Sequence, residues 1–193
     1  MRKRVGVLAL QGDFEAHQKA LERAGATAVQ VRKEADLSGL DGLVIPGGES
    51  TTMLKLLHEE GLMEPLARFG RERPVFGTCA GAILLAGEVM SPSQESFGLV
   101  DVAIERNAYG RQVDSHIARL EPEPEFTERA GSGDIEAVFI RAPIIRRVGP
   151  RARVLARHAG DPVLVEDDRH LVATFHPELT GDTRVHQLFL EKL

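Results

Sequence analysis

Val75-Phe76-Gly77-Thr78-Cys79-Ala80-Gly81-Ala82 is a short apolar run, then Gly-x-Cys-x-Gly, then small residues suited to a helix. Read as strand, tight turn and helix, it forms a nucleophile elbow with sulfur in place of a serine oxygen. Such an elbow throws one side chain out at the end of a sheet. A Cβ at Gly77 or Gly81 would crowd the turn. At the head of the following helix the macrodipole favours thiolate over thiol. Cys79 is the only cysteine in the chain. A lone cysteine is ordinarily a small buried hydrophobe, so the frame around it and the segments elsewhere must carry the argument.

Working outward, Val5-Gly6-Val7-Leu8-Ala9-Leu10 is nearly all apolar, as a strand buried on both faces would be. Residues 14–24 read as a helix stopped by Gly25. Residues 29–31 and 42–45 read as further strands, the latter ended by Pro46-Gly47-Gly48. Residues 51–60 read as a helix, and residues 74–78 as the strand that feeds the elbow. Strands alternating with helices across short turns predict a parallel, doubly wound sheet covered on both faces. In the second half, residues 99–105 and 115–120 partly alternate, like half-exposed strands. Residues 137–140, 153–156, 163–165 and 171–175 follow at strand length, and residues 183–193 read as a closing helix. These later strands are expected to be mostly antiparallel, extending or flanking the sheet. Residues 121–134, rich in Pro, Glu and Gly, read as a surface loop. The fold class is therefore α/β: a three-layer, mostly parallel, flavodoxin-like sheet with antiparallel strands added in the second half.

Composition narrows the function. The chain has 193 residues and is 42% hydrophobic, enough for one domain with a sizeable core, so residues 1–193 are read as a single unit. A net charge of −5 disfavours non-specific binding to nucleic acid or to an anionic membrane. One cysteine excludes an intrachain disulfide and a Cys-rich metal site and fits a reducing cytoplasm. The apolar run after Met1-Arg2-Lys3-Arg4 is too short for a signal-peptide core. No run approaches the ~18 apolar residues a membrane span requires. No cofactor and no metal are expected.

Two further segments belong with the elbow. In Thr174-Phe175-His176-Pro177-Glu178 the residues two apart on a strand end point to one side. Glu178 is thus placed to orient the His176 imidazole and stabilise its charged form, as the third member behind a nucleophile–base pair. In Ile45-Pro46-Gly47-Gly48-Glu49-Ser50-Thr51-Thr52 a strand runs into two glycines and a helix, with Ser50 or Thr51 as N-cap. The glycines would let backbone N–H groups approach within ~3 Å of a developing oxyanion. The second donor would be the N–H of Ala80. All three segments should converge on the carboxyl edge of the sheet, where open α/β folds bind ligands. Read singly, each has a plain structural alternative: a solvated turn for His176 and Glu178, a capped turn for the glycines, surface ion pairs for Arg106 and Arg141. His17, His58, His116, His158, His170 and His186 show no partner pattern and receive no role.

Pro-Gly-Gly-Glu-Ser-Thr-Thr, Phe-Gly-Thr-Cys-Ala-Gly and Phe-His-Pro-Glu-Leu resemble the class I (triad) glutamine amidotransferases. Leu8-Ala9-Leu10-Gln11-Gly12, Glu105-Arg106-Asn107, Gly110-Arg111-Gln112-Val113-Asp114-Ser115 and Phe139-Ile140-Arg141-Ala142-Pro143 narrow the resemblance to the glutaminase subunits of pyridoxal 5′-phosphate synthases. It spans residues 4–190, and residues 131–136 look longer than that family's pattern. The resemblance implies that Cys79 attacks the side-chain amide of L-glutamine. His176 would move protons and Glu178 would orient it. The peptide Gly47–Gly48 and the N–H of Ala80 would stabilise the oxyanion. Gly48, Glu49, Ser50, Arg106, Ile140 and Arg141 would bind the substrate. The ammonia would pass to a separate lyase subunit, a (β/α)₈ barrel, with Gln11 at the contact. Three alternatives stay open at this point. One is the glutaminase subunit of another amidotransferase, such as imidazole-glycerol-phosphate synthase. Another is a different cysteine hydrolase on a flavodoxin-like sheet, which leaves His-Pro-Glu unexplained. The third is a non-catalytic subunit, which predicts a degraded triad.

Overall fold

A computed structural model describes residues 1–107 and 115–193; the quoted segment Gly110-Arg111-Gln112-Val113-Asp114 lies outside the described residues. The chain opens with strand β1 (Arg4–Leu8), helix α1 (Phe14–Arg23), β2 (Thr27–Val31), a 3₁₀ turn (Glu34–Leu37) and β3 (Gly42–Ile45). Then come α2 (Ser50–Glu59), α3 (Met63–Glu72), β4 (Val75–Thr78) and α4 (Ala80–Leu85). β5 (Ala86–Met90), β6 (Val100–Glu105), β7 (His116–Leu120), α5 (Pro124–Ala130), β8 (Ile135–Phe139) and β9 (Ile144–Val148) follow. β10 (Arg153–His158), β11 (Asp161–Glu166), β12 (Leu171–Ala173), a 3₁₀ turn (Pro177–Leu179) and α6 (Arg184–Leu190) complete it.

The central sheet runs β10-β11-β12-β4-β3-β1-β2. The five strands from β12 to β2 are mutually parallel, and β10 and β11 add an antiparallel edge. The parallel part has the flavodoxin-like order 2-1-3-4-5, with β12 as its fifth strand. β1, β3, β4 and β12 are almost wholly buried, and each sends alternate residues to opposite faces. Val44, Phe76 and Leu171 enter the core beneath α1, α5 and α6. Leu43, Ile45, Val75 and Val172 enter the core beneath α2, α3 and α4. A small β5-β6-β9 sheet lies on the second side, and a two-stranded antiparallel β7-β8 sheet packs its apolar residues into the first.

Several sequence expectations are corrected. The strand at 171–175 is parallel to β4, not antiparallel; its residues are buried on both faces, the environment of parallel strands. β5 and β6 also pair parallel. The supposed loop at 121–134 contains α5. Its Pro124 occupies the first helical turn, where a missing N–H costs nothing, and its Phe126 is fully buried. Helix α3 and strands β5 and β9 were not anticipated. In the 131–136 segment, the backbone carbonyls of Gly131, Ser132, Gly133 and Asp134 accept hydrogen bonds from the Arg184 guanidinium of α6, which ties this stretch to the body of the protein.

Candidate active site

Cys79 sits between β4 and α4 with φ 50° and ψ −107°, left-handed backbone unusual for a residue with a Cβ. A conformation of this kind costs on the order of 1–3 kcal/mol. Close packing holds it there: the Cys79 N–H donates to the Ala173 carbonyl at 2.9 Å. A Cβ on Gly77 would overlap the backbone of Gly81, and one on Gly81 would overlap Ile45 O. The elbow is therefore wedged between β3 and β12, and only glycine fits on either side of it. The thiol is 5% exposed and lies 3.9 Å from Ile140 O.

His176 and Glu178 come together differently from the strand-end reading. β12 stops at Ala173, and a 3₁₀ turn begins at Pro177 with His176 as its cap residue. The tighter turn, rather than strand alternation, brings the pair together, and His176 Nδ1 lies 2.6 Å from Glu178 Oε1. Both side chains are buried. Burial alone would discharge the imidazole. Hydrogen bonds to Cys79 and Glu178, together with their negative charge, outweigh it and raise the His176 pKa to about 10. The thiol, imidazole and carboxylate thus form a connected series, with the imidazolium favoured across the neutral range.

Gly47 and Gly48 follow β3. A Cβ on Gly47 would stand 2.5 Å from His176 Cε1 and 3.2 Å from Cys79 Cβ, so the turn lies directly against the thiol and imidazole. Gly48 has φ 143°. The helix cap here is Glu49, not Ser50 or Thr51. Its carboxylate accepts from the N–H groups of Thr51 and Thr52 and from the Thr52 hydroxyl. A carboxylate caps as well as a hydroxyl and adds charge at the positive end of the helix. Ser50 Oγ contacts Gln94 Oε1 at 3.1 Å. Ala80 opens α4, where the first N–H groups have no intrahelical partner.

A cavity of about 580 Å³ joins these groups. Gly47, Gly48, Glu49, Ser50, Cys79, Arg106, Ile140, Arg141 and His176 line it, so most of the anticipated residues share one wall system. Arg106 is mostly buried. It donates to Thr51 Oγ1 at 2.8 Å and approaches Glu49 at 3.9 Å, while its buried Nε has no hydrogen-bond partner among the described residues. Ile140 is 37% exposed, and Arg141 adopts φ 46°. Gln11 stands beside the turn rather than in the cavity lining. Its Oε1 accepts from the Glu49 N–H at 3.3 Å, and its amide occupies the space a Gly48 Cβ would need. Asp13, Asn107 and Ser115 also line the cavity and were missed. Asn107 and Ser115 stood inside quoted motifs, which was the available signal. His17, which shows no partner pattern in the sequence, is fully buried beside Glu178.

The model of the SNO glutamine amidotransferase family matches residues 7–193. A pyridoxal 5′-phosphate synthase subunit PdxT of Solibacter usitatus is 64% identical, over 99% of this chain and 100% of the relative. The corresponding PdxT subunit of Koribacter versatilis is 54% identical, over 97% of this chain and 94% of the relative. A crystal structure of a glutamine amidotransferase superposes with a TM-score of 0.87 at 49% identity, covering 97% of each chain.

Proposed function

The chain belongs to the SNO glutamine amidotransferase family, and from that premise we propose that it is the glutaminase subunit of a pyridoxal 5′-phosphate synthase, hydrolysing L-glutamine and supplying ammonia for vitamin B6 synthesis. The observation that supports the site assignment best is the series Cys79, His176, Glu178, whose first two members line one cavity while the third holds the imidazole from behind. Cys79 Sγ attacks the glutamine side-chain carbonyl carbon. His176 passes a proton to the departing nitrogen, which leaves as ammonia, and a γ-glutamyl thioester remains on Cys79. Water, deprotonated by His176, then attacks the thioester and releases glutamate and the thiol. Glu178 holds the imidazole and balances its charge. The oxyanion is received by the N–H of Gly48, from the Gly47–Gly48 peptide, and by the N–H of Ala80. Glu49, Ser50, Arg106, Ile140 and Arg141 hold the remainder of glutamine. Arg106 pairs with its α-carboxylate after loosening from Thr51.

The whole of residues 1–193 acts as one glutaminase unit. Its partner is the synthase's lyase subunit, a (β/α)₈ barrel, and its setting is the cytoplasm, which suits a lone unbridged cysteine. Among the described residues, no helix is long and apolar enough to cross a membrane. Gln11 is the relay from partner to site. It touches both Gly48 and Glu49, so a partner that moves it biases the orientation of the Gly47–Gly48 peptide. Glutamate release from glutamine, measured with and without the lyase subunit, tests this reading. The expected result is slow hydrolysis alone and faster hydrolysis with the partner. Gln11→Ala should blunt the activation and leave the basal rate unchanged. No glutamate in either condition would overturn the function, and equal rates would overturn the coupling.

A further inference from the structure

Glu178 spends only one of its two carboxylate oxygens on His176. The second, Oε2, is buried and accepts no hydrogen bond among the described residues. A buried carboxylate oxygen left bare is costly and free to swing. Facing it is His17 of α1, whose Nε2 lies 3.3 Å from Oε2 and 3.0 Å from Thr78 Oγ1. His17 Nδ1 is in turn 3.0 Å from His186 Nε2 of α6. All three histidine and carboxylate side chains are buried, and the edge of Phe76 packs against His17 and His186.

Resting on the glutaminase reading above, we infer that His17 is a positioning residue for the site, holding the free oxygen of Glu178 through an N–H at Nε2 and thereby fixing His176 against Cys79. The proton order follows from the neighbours. A carboxylate oxygen is only an acceptor, so a bare Nε2 lone pair beside Oε2 would be repulsive. The proton therefore sits on His17 Nε2, donated to Thr78 Oγ1 with Glu178 Oε2 in ion–dipole contact. His17 Nδ1 must then accept, which places the His186 proton on its Nε2. This leaves His186 Nδ1 as a lone pair, consistent with its having no hydrogen-bond partner among the described residues; a buried N–H without an acceptor would be the alternative. Burial and the proximity of His186 and His176 keep His17 uncharged, as a fixed dipole requires. Other charged groups near the network are Asp13, ahead of α1 and within 4.8 Å of the His176 and Glu178 polar atoms, and Arg23, which acts on His186 and donates to Thr180 O.

Two measurements test this. Nitrogen-15 NMR of histidine-labelled native protein reads the tautomer directly, without any variant and whether or not glutamine is the substrate. His17 protonated at Nε2 is expected, and protonation at Nδ1 would overturn the proposal. Glutamine hydrolysis in the presence of the lyase subunit then compares His17→Asn with His17→Gln. Asparagine keeps a group at the Nδ1 position but loses the donor facing Glu178; glutamine reaches the Nε2 position with an amide N–H. His17→Asn should lower kcat about a hundredfold, the cost of a small misplacement at a reacting pair, with little change in KM. His17→Gln should recover most of kcat. A folded His17→Asn with native kcat, or a folded His17→Gln no better than His17→Asn, would overturn it. An inactive native chain would instead overturn the glutaminase reading and leave the tautomer result standing.

Discussion

Cys79, the proposed nucleophile, sits in a backbone conformation that resists side chains, and its strain is held by glycines on both flanks and by the Ala173 carbonyl. Cys79→Ser should preserve the melting temperature, since size and backbone are nearly unchanged. It should lower glutamine hydrolysis by at least about a thousandfold, as loss of a nucleophile does elsewhere. Near-native hydrolysis by the serine variant would remove Cys79 from the chemistry. His176→Asn should cost more than Glu178→Gln, because in the proposed roles one moves the proton and the other orients the mover. Steady-state kcat/KM for the two variants decides the ranking, and the reverse order would exchange their roles. At this scale the sequence was unusually legible. Gly-x-Cys-x-Gly and His-Pro-Glu are local patterns whose geometry follows from a few adjacent residues. His17 was not legible by motif, because its partners come from β4, α6 and the turn after β12. The signal lay in helix phase: Ala20 and Leu21, three and four residues on, are buried on the same face.

Individual elements were readable where one periodicity dominated and unreadable where tertiary contacts overrode composition. The buried strands β1, β3 and β4 and the amphipathic α1 were visible for the first reason. Helix α3 contains Pro65 and Gly70, which argue against a helix in isolation. Yet Pro65 sits in the first turn and Gly70 packs against Leu99. Helix α5 is hidden in the sequence by its Pro and Glu content and the glycines that follow it, and is held by Phe126. The last helix has an anchor of its own. Glu166 of β11 is fully buried and meets Arg129 of α5 at 2.5 Å, Lys192 just after α6 at 2.7 Å and Arg153 at 3.3 Å. Those cations hold its carboxyl below the usual range despite burial, which pushes the other way. Glu166→Gln should lower the unfolding free energy by about 2–3 kcal/mol, because it takes the buried carboxylate from Lys192 and one of several partners from Arg129 and Arg153. Denaturant titration measures this. A loss below about 0.5 kcal/mol would mean these bridges behave as exposed surface pairs.

Across the whole molecule, buried histidines set opposite pH limits. Burial lowers His186 to about 3 and His170 to about 4, and lowers His17 as well; in the unfolded chain each would titrate near 6.5. The unfolded state therefore takes up protons first, and stability should fall as pH drops from about 6.5 toward 4 and below. His176 has the opposite sign. Its pKa is raised to about 10, so its contribution is full below about 6.5 and is lost as pH rises through 10. Melting temperature should peak near pH 6–7, and His176→Asn should flatten the alkaline arm while sparing the acid one. A curve level from pH 6.5 to 4, or an alkaline arm indifferent to His176→Asn, would contradict these assignments. The overall architecture follows the alternation of strands and helices, whereas the added β5-β6-β9 and β7-β8 sheets depend on contacts distant in sequence. All of this serves to bring a thiol, an imidazole with its carboxylate and a Gly-Gly turn to one cavity at the carboxyl edge of the sheet. The proposed hydrolysis requires a covalent step there. Acid quenching of the chain during turnover of L-glutamine with the lyase subunit, followed by peptide mapping by mass spectrometry, looks for that step directly. A γ-glutamyl adduct on the Cys79 peptide, absent in Cys79→Ser, is the predicted result; glutamate formation with no adduct on Cys79, or with an adduct on another residue, would contradict it.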